Sequence, residues 1–525
     1  MEFDYTQRKD FTSEIFKIQV KGVKGQSSAL QFKKFLEGHD IKSKKIKITP
    51  SVTFLTFSSE NDRNKALDTL PGVKFRNRDL QVRVAKPCAD PCVLAQQNIQ
   101  NPITEEEFHQ AILNSTAPYS KKPYDEQISL KMEGVQRVYK SLKASLEPNT
   151  KHELDKLQIN EFVRSPTIVE YRNKCEFSFG HGHDNTDLTI GFKSGKYKDG
   201  LTKVALIDDL TLIPKDFLTI VKSLQKFLRK TEHLPFLSIF DHVTHVGNLK
   251  QAMLRNNRNG EIYLQIAADP QDLSKENIST LQEKLKEWIT KVNKKVTLKR
   301  VDLALKKFTE KVPVLDGPIF GAEFVLKEEC CGKIFDISPE SFFQVNILAA
   351  ELLYTEIGRQ IEGISCDLPK CLLDICSGIG TIGQCLADHV KKIIGIEIVP
   401  EAVQDSEKNA KQNKISHATY MCGRAEDLIS LAVQMNRKHH EMIAVLDPPR
   451  CGLNNSVIKA IRKCSEIKHV FYVSCHMEAA LNNFGVLLQG ETKRCTGDRF
   501  RLDSVTPFDF FPSTDHSEVL LKFSR

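Results

Sequence analysis

Cys475 ends an apolar run, HVFYVSC, and Glu518 stands just before another, VLLKF. A thiol and a carboxylate brought to strand ends can serve as nucleophile and base. The thiolate adds to an electron-poor carbon and the carboxylate removes the proton that must leave afterwards. Upstream, residues 374–383 read DICSGIGTIG, in which Gly378, Gly380 and Gly383 form G-x-G-x-x-G directly after an apolar strand. Glycines there let backbone approach a ligand that side chains would hold off. Glu397 closes the next strand, KKIIGIE, where a carboxylate can accept both ribose hydroxyls of an adenosine-type cofactor. These features alone fit a nicotinamide dinucleotide equally well.

Asp447-Pro448-Pro449-Arg450, after the strand IAVLD, separates the two cofactors. A carboxylate before a stiff di-proline turn has no use in a dehydrogenase, whereas many methyltransferases that act on nucleic-acid bases carry an acidic or amide residue before two prolines there. Cys475 shares that sheet edge, which lifts it above an ordinary buried thiol. A thiol, a carboxylate and a methyl donor together suit carbon 5 of uracil, which is too weakly nucleophilic to attack a methyl sulfonium unaided. Thiolate addition at carbon 6 makes carbon 5 nucleophilic, and a base must then take the carbon 5 proton so that the thiol can leave. Cys475 and Glu518 fit those two roles. Arg450 is the candidate activator of the thiolate.

The elements that must position these groups alternate along residues 338–525. Apolar strands CLLDIC, KKIIGIEI, ATYMC, IAVLD and HVFYVSC interleave with amphipathic helices and end in a hairpin closing at EVLLKF. This pattern predicts a Rossmann-like doubly wound sheet that binds its ligand at the carboxyl ends of the strands. Residues 124–337 predict a docking helix (ISLKMEGVQRVYKSL) followed by an α+β middle domain. Its strands YRNKCEFSFG, LTIGFKS, AMLRNN and EIYLQIA mix with two helices. Arg172, Lys174, Lys196 and Lys198 there are candidates for phosphate contact.

Residues 1–88 run strand, helix, strand, strand, helix, strand, a ferredoxin-like order similar to an RNA-recognition motif. Against that motif's signature this chain reads PSVTFLTF. It keeps Phe54 but has Val52 at a stacking position and Pro50 at the basic one, with Phe16 as the candidate second platform ring; the alternative is that Phe54 and Phe57 simply pack in a sheet. Residues 89–123 read as a linker. Cys88 and Cys92, at C-x3-C spacing, lack two further ligands nearby and are expected to be ordinary thiols.

Charge supports the same division. The chain of 525 residues has a net charge of +8, and residues 1–86 alone hold 18 Lys/Arg against 10 Asp/Glu. The basic excess is therefore a property of the first module, an electrostatic footprint for nucleic acid or an anionic membrane. The 14 cysteines show no paired spacing, and MEFDYTQRKD has neither an apolar h-region nor transit-peptide character. No apolar run approaches a membrane span. These features point to a reducing compartment, the cytosol, the nucleus or both, with no membrane partner.

The sequence resembles the RNA 5-methyluridine methyltransferases. The resemblance rests on SPESFFQVN (338–346), LLDICSGIGTIG (372–383), IGIE (394–397), LDPPR (446–450), YVSC (472–475) and FPSTDHSE (511–518), and extends through YRNKCEF and GKYKDG. It implies S-adenosyl-L-methionine as cofactor, without a metal or iron-sulfur cluster. Its implied substrate is the T-loop uridine of cytosolic tRNA, with other RNAs left open. It implies that Gln344 contacts the methionine part of the cofactor, Gly378 and Gly380 its loop, Glu397 the ribose and Asp447 the edge of the reaction site. Cys475 is then the nucleophile and Glu518 the base.

The chain departs from the family in three places. Ser474-Cys475-His476-Met477 stands where members commonly read S-C-N-P. Cys376 replaces an aromatic of some bacterial relatives. The iron-sulfur cluster and RNA-binding barrel of bacterial ribosomal-RNA members have no sequence support. Three rivals remain at this point. A nicotinamide oxidoreductase leaves Asp447 to Arg450 and Cys475 unexplained. A zinc deaminase built on His516 and Glu518 lacks its P-C-x-x-C partner. A non-catalytic tRNA-folding chaperone would suit the basic module as well as methylation does.

Overall fold

Alternating apolar residues make a two-faced sheet of the N-terminal stretch. Strands β1 (Lys17–Lys21), β2 (Lys45–Ile48), β3 (Thr53–Thr56) and β6 (Gln81–Val84) pair antiparallel in the order β2-β3-β1-β6. Helices Ala29–Glu37 and Glu60–Thr69 and a small hairpin, β4 (Lys74–Phe75) with β5 (Arg78–Asp79), complete the unit. Ser59 caps the second helix by accepting the Asp62 N–H. Ile18, Val20 and Leu55 turn to one face and bury against Phe32, Leu36, Ala66 and Leu70. The structure, a computed structural model, describes residues 16–23, 29–49, 52–76, 78–85, 104–182, 188–193, 195, 203–206, 208–230, 234–241, 246–271, 273–307, 315–338, 341–436, 440–492 and 495–525. Pro50, Cys88, Cys92, Lys196 and Lys198 lie outside them.

The other face of this sheet is basic. One rung runs Lys47, Phe54, Gln19, Arg83 across the four strands, and Lys17, Lys21 and Lys45 share its parity. Lys17 Nζ stands 5.2 Å from the centre of the Phe54 ring. Phe16, the expected second platform ring, has the parity of Ile18 and Val20 and packs against the core instead. Phe57 is buried, so the packing alternative holds for it, while Phe54 lies on the basic face. Among the described residues this face therefore offers one aromatic ring amid cations.

A second unit holds the rest of the described fold. Its first large sheet has seven strands: β7 (Lys174–His181), β8 (Leu188–Lys193), β9 (Val204–Ala205), β10 (Leu249–Asn256), β11 (Ile262–Ala268), β12 (Leu298–Leu305) and β13 (Leu315–Phe320). They are ordered β13-β12-β11-β10-β7-β8-β9. Helices Lys215–Leu228 and Lys275–Val292 bury apolar residues at helical spacing, and Phe227 stacks on Trp288. The sheet is larger than the four segments expected. In LKRVDLAL, Arg300 and Asp302 interrupt the apolar pattern, but the structure pairs them at 2.8 and 2.9 Å, so their charges can sit in a strand. A further hairpin, β14 (Leu326–Cys330) with β15 (Lys333–Ile337), also lay outside the expected strands.

The last sheet joins β16 (Lys370–Ile375), β17 (Lys392–Glu397), β18 (Ala418–Cys422), β19 (Glu441–Leu446), β20 (Ile467–Ser474), β21 (Arg501–Phe508) and β22 (Glu518–Ser524). The order is β18-β17-β16-β19-β20-β22-β21, and only β22 runs against the others. Its central strands are apolar on both faces because helices cover both, with Ile347–Glu362 and Pro400–Gln412 on one side and Ala425–Asn436, Asn455–Lys463 and Met477–Leu488 on the other. This is the doubly wound sheet expected. Strand order reverses beside β16, the position where such sheets bind ligands.

The expected docking helix is Tyr124–Ala144, and it fixes the loop that leads into β22. Lys131 Nζ lies 2.6 Å from Asp509 Oδ1 with both side chains fully buried, and it also donates to the Phe511 carbonyl at 2.9 Å. Gln127 Oε1 accepts the Ser513 N–H at 2.7 Å. Removing one partner of such a buried pair typically costs about 3–5 kcal/mol, so this loop is firmly placed. No helix among the described residues is long and apolar enough to cross a membrane.

Candidate active site

The parallel strands deliver their carboxyl ends to one edge, and β22, running the other way, delivers its first residue there. A cavity of about 930 Å³ opens at that edge, lined by Gln344, Gly378, Glu397, Asp447, Cys475 and Glu518 among others. The structure thus brings six of the seven expected residues together. Gly380 is the seventh, and it does not line the cavity. It caps the helix Thr381–Cys385 with φ +80°, and a Cβ there would lie 2.7 Å from the Tyr420 hydroxyl and 2.8 Å from Gln384 Nε2. Its glycine lets the loop close over those groups from beneath.

Gly378, with φ +55°, faces open space, so its missing side chain leaves room on the cavity side. Its N–H donates to Glu397 Oε2 at 3.0 Å, while Glu397 Oε1 accepts the N–H groups of Ile398 and Val399 at 2.8 and 3.0 Å. The carboxylate is therefore oriented by backbone, and Oε2 keeps one acceptor site for a ligand. Gln344 is held by Asn173, whose side-chain amide donates to its carbonyl at 3.0 Å. Asn346 caps the following helix through the Ala349 N–H.

The register explains the catalytic corner. Ser474 pairs with Val519, so Cys475 and Glu518 occupy the next rung of β20 and β22. Glu518 is buried, and its Oε1 has no hydrogen-bond partner in the protein. Burial, followed by the negative charge of Asp447, pushes its carboxyl well above the usual range, with Arg450 opposing. Burial pushes Asp447 up to about 7. Burial, then Glu518 and Asp447, pushes the Cys475 thiol up to about 11, and Arg450 pulls it down less strongly. Arg450 thus acts in the direction expected of an activator, but burial and the carboxylates outweigh it.

The middle sheet supplies a cationic wall. Arg172 and Lys174, expected to meet phosphates, line the cavity, and Arg255 pairs with Lys174 across β10 and β7. Arg255 escaped the sequence reading because AMLRNN looks like an ordinary strand. It is buried, donates Nη1 to the Ser341 carbonyl at 2.9 Å, and leaves Nε and Nη2 without protein partners. Phe342, 72% exposed at the cavity, and Ser377, whose buried hydroxyl has no partner, were also missed. His516 lines the wall too, and burial lowers its pKa.

Asp374 lies beneath the loop, fully buried, with Oδ2 accepting the Gly383 N–H at 2.9 Å and Oδ1 unpartnered. Burial raises it to about 7, opposed by the Gly383 N–H and reinforced by Asp447 and Glu397. The folded protein therefore holds this proton more tightly than the unfolded chain. The resulting stabilisation is complete below about pH 4 and is lost as pH rises toward 7. Asp374→Asn is expected to retain the Gly383 bond and remove that decline. Between pH 5 and pH 8 the wild type should lose on the order of 1–3 kcal/mol more stability than the variant. Thermal midpoints at the two pH values measure this, and equal losses in both proteins would contradict it.

Comparisons with known proteins agree with this geometry. The family model described as tRNA (Uracil-5-)-methyltransferase matches residues 140–524. The chain is 35% identical to the tRNA (uracil-5-)-methyltransferase homolog A of Homo sapiens, over all of this chain and 85% of that one. It is 37% identical to the Mus musculus protein of the same name, over all of this chain and 86% of that one. The crystal structure of Pyrococcus abyssi tRNA (uracil-54, C5)-methyltransferase in complex with S-adenosyl-L-homocysteine superposes with a TM-score of 0.53 at 20% identity. That superposition covers 76% of this chain and 83% of that one, a likeness of fold. The matched span contains β16 to β20 with the glycine loop, Asp447 and Cys475, together with Glu518 at the start of β22, and the chain belongs to the tRNA (uracil-5-)-methyltransferase family.

Proposed function

We propose that this chain transfers a methyl group from S-adenosyl-L-methionine to carbon 5 of a uridine in tRNA, the T-loop uridine in cytosolic tRNA. The observation that carries the proposal is the placement of Cys475 and Glu518 on adjacent strands of a cavity that also holds the glycine loop and Glu397. The cavity suits the cofactor. Its size lies within the range for small-molecule sites, and it presents one open acceptor site of Glu397, the unpartnered Ser377 hydroxyl and the bare Gly378 backbone. Gln344, Ser377, Gly378, Glu397 and Asp447 would hold it. When bound, the cofactor supplies an electrophilic methyl group on a sulfonium.

The residues then act on the pyrimidine. Cys475 loses its proton and its sulfur bonds to carbon 6, moving the ring's π electrons toward oxygen 4 and making carbon 5 nucleophilic. Once carbon 5 carries the methyl, Glu518 removes the remaining carbon 5 proton. The C5–C6 double bond re-forms as the C6–S bond breaks and the thiolate leaves. A uridine stacked in a folded loop must be flipped to reach this cavity, at a cost of a few kcal/mol. Arg172 and Lys174 on the cavity wall would receive the flanking phosphates, with the buried Arg255 adding positive charge behind them. Incubation with cofactor and unmodified tRNA, followed by mapping of 5-methyluridine, tests the proposal. Modification in the T-loop is expected, and absence of 5-methyluridine from every position would sink it.

Within this reading residues 1–88 form an RNA-recognition-motif-like module and 89–123 a linker. Residues 124–337 form the docking helix and RNA-binding middle domain, and 338–525 the cofactor-binding domain. The basic sheet face supports contact of the first module with RNA through phosphates, with Phe54 as its single stacking ring. Replacing Lys45, Lys47 and Arg83 together by Ala should lower the slope of log affinity against log salt by about 2, since each lost phosphate contact removes about 0.7–0.9. Filter binding across a salt series measures the slope, and an unchanged slope would exclude this face from the RNA interface. Cytosolic or nuclear residence follows from the substrate assigned.

A further inference from the structure

Outside the active site three thiols converge. Cys330 ends β14, Cys331 follows it at the hairpin turn, and Cys385 ends the helix Thr381–Cys385 that opens on the glycine loop. Their sulfurs all lie within 4.8 Å of one another. Cys385 Sγ stands 3.5 Å from the Cys330 carbonyl oxygen. Cys331 and Gly332 form the turn with φ of +51° and +69°. That turn favours Asn, Asp or Gly at its first position, so a cysteine there is held against its backbone preference. Its backbone N–H donates to Glu351 Oε1 at 2.9 Å, which pins the turn.

We infer that Cys330, Cys331 and Cys385 bind one thiophilic d10 cation, zinc(II) or copper(I), as a trigonal three-thiolate site. Soft sulfur ligands in this number select those ions over magnesium, calcium or manganese. Each thiol gives up its proton to solvent as its metal–sulfur bond forms, so affinity rises with pH. Among the described residues no fourth Cys, His, Asp or Glu joins the group. Copper(I) is complete with three sulfurs, whereas zinc takes a water as its fourth ligand. Sequence spacing hid the site because Cys385 is distant along the chain from Cys330 and Cys331, and the expectation of no metal followed from the family resemblance. The inference stands independently of the methyl-transfer reading.

The fold gives the site a consequence. The hairpin already reaches the helix Pro400–Gln412 and its C-cap through Asp336 N–H to Asn409 Oδ1 and Ile334 N–H to Asn413 Oδ1, both at 2.8 Å. A metal at the three sulfurs would tie its turn to the helix of the glycine loop, so occupancy would stiffen one wall of the cofactor cavity.

The test uses the full chain, reduced and metal-free. Zinc(II) is titrated against a chromophoric chelator, and copper(I) against a chromophoric copper(I) ligand. One tight equivalent of one ion is expected, and which arm shows it identifies the metal. Cobalt(II) should give thiolate-to-metal charge-transfer absorption, and hydrogen exchange of residues 381–389 should slow when the metal is bound. Cys385→Ser and, separately, the half-buried Cys331→Ser should lose that equivalent. The affinity loss should exceed the roughly 10–100-fold typical of outer-shell changes. Cys366→Ser, remote from the cluster, should leave binding unchanged. Absence of a tight equivalent in both arms, or its survival in both cluster variants, would overturn the inference.

Discussion

Cys475→Ala is expected to lower the rate of methyl transfer to tRNA on the order of 10⁴-fold or more while changing RNA affinity by less than about threefold. Without a sulfur at carbon 6 the pyrimidine cannot become nucleophilic at carbon 5, and no neighbouring group replaces it. Beside the sulfur stand two carboxyls raised by burial, Asp447 and Glu518, and the cation Arg450, while Cys376, another thiol of the cavity, is pushed up to about 12 by burial and lies on the cofactor loop. Binding, by contrast, is proposed to draw on phosphate contacts such as those of Arg172 and Lys174 on the cavity wall, neither of which takes part in the sulfur's role. Single-turnover methylation and filter binding measure the two quantities separately. Methylation that survives the substitution would refute the nucleophile assignment. Lost methylation with intact binding also separates an enzyme from a tRNA-folding chaperone, because only the enzyme loses a covalent step.

Much of this corner was legible in the sequence because strand ends are legible. A buried parallel strand is a short apolar run, and the residue that follows must emerge at the binding edge, which placed Asp447 and Cys475 without coordinates. Glu518 could be placed near them from the final run VLLKF, but its adjacency to Cys475 depends on the Ser474–Val519 register, which no single segment encodes. Arg255 and the cluster of Cys330, Cys331 and Cys385 were not legible for a related reason. Their roles come from long-range packing between the middle sheet, a hairpin and the glycine-loop helix. Gly380 shows the opposite case, a motif residue whose demand is met by Tyr420 and Gln384 below the loop, not by the cavity above it. At the N-terminus, element order was legible but Phe16 was assigned to the platform, although its alternation with Ile18 and Val20 in IFKIQV puts it on the core face.

Glu518→Gln is expected to reduce turnover by roughly 10²- to 10⁴-fold and to convert most of the enzyme into a denaturation-resistant complex with methylated RNA. Two effects push the same way. Loss of the base strands the adduct after methylation, because the carbon 5 proton has no acceptor and the C6–S bond cannot break by elimination. Loss of the carboxylate charge also eases formation of the adduct. Glu518 ranks after burial among the causes that push the Cys475 thiol up to about 11, so the variant's thiol should ionise at lower pH. In the wild type, activity should rise with pH through the neutral range, since both the thiol and the raised Glu518 carboxyl must lose protons to act. In the variant, the pH dependence of adduct formation should shift to lower pH and retain only the thiol's contribution. Denaturing electrophoresis with labelled tRNA counts the complex, and mass spectrometry of its nuclease-trimmed remnant shows whether the methyl is present. A variant that stops turning over without accumulating adduct would place Glu518 before the covalent step and assign removal of the carbon 5 proton to another group.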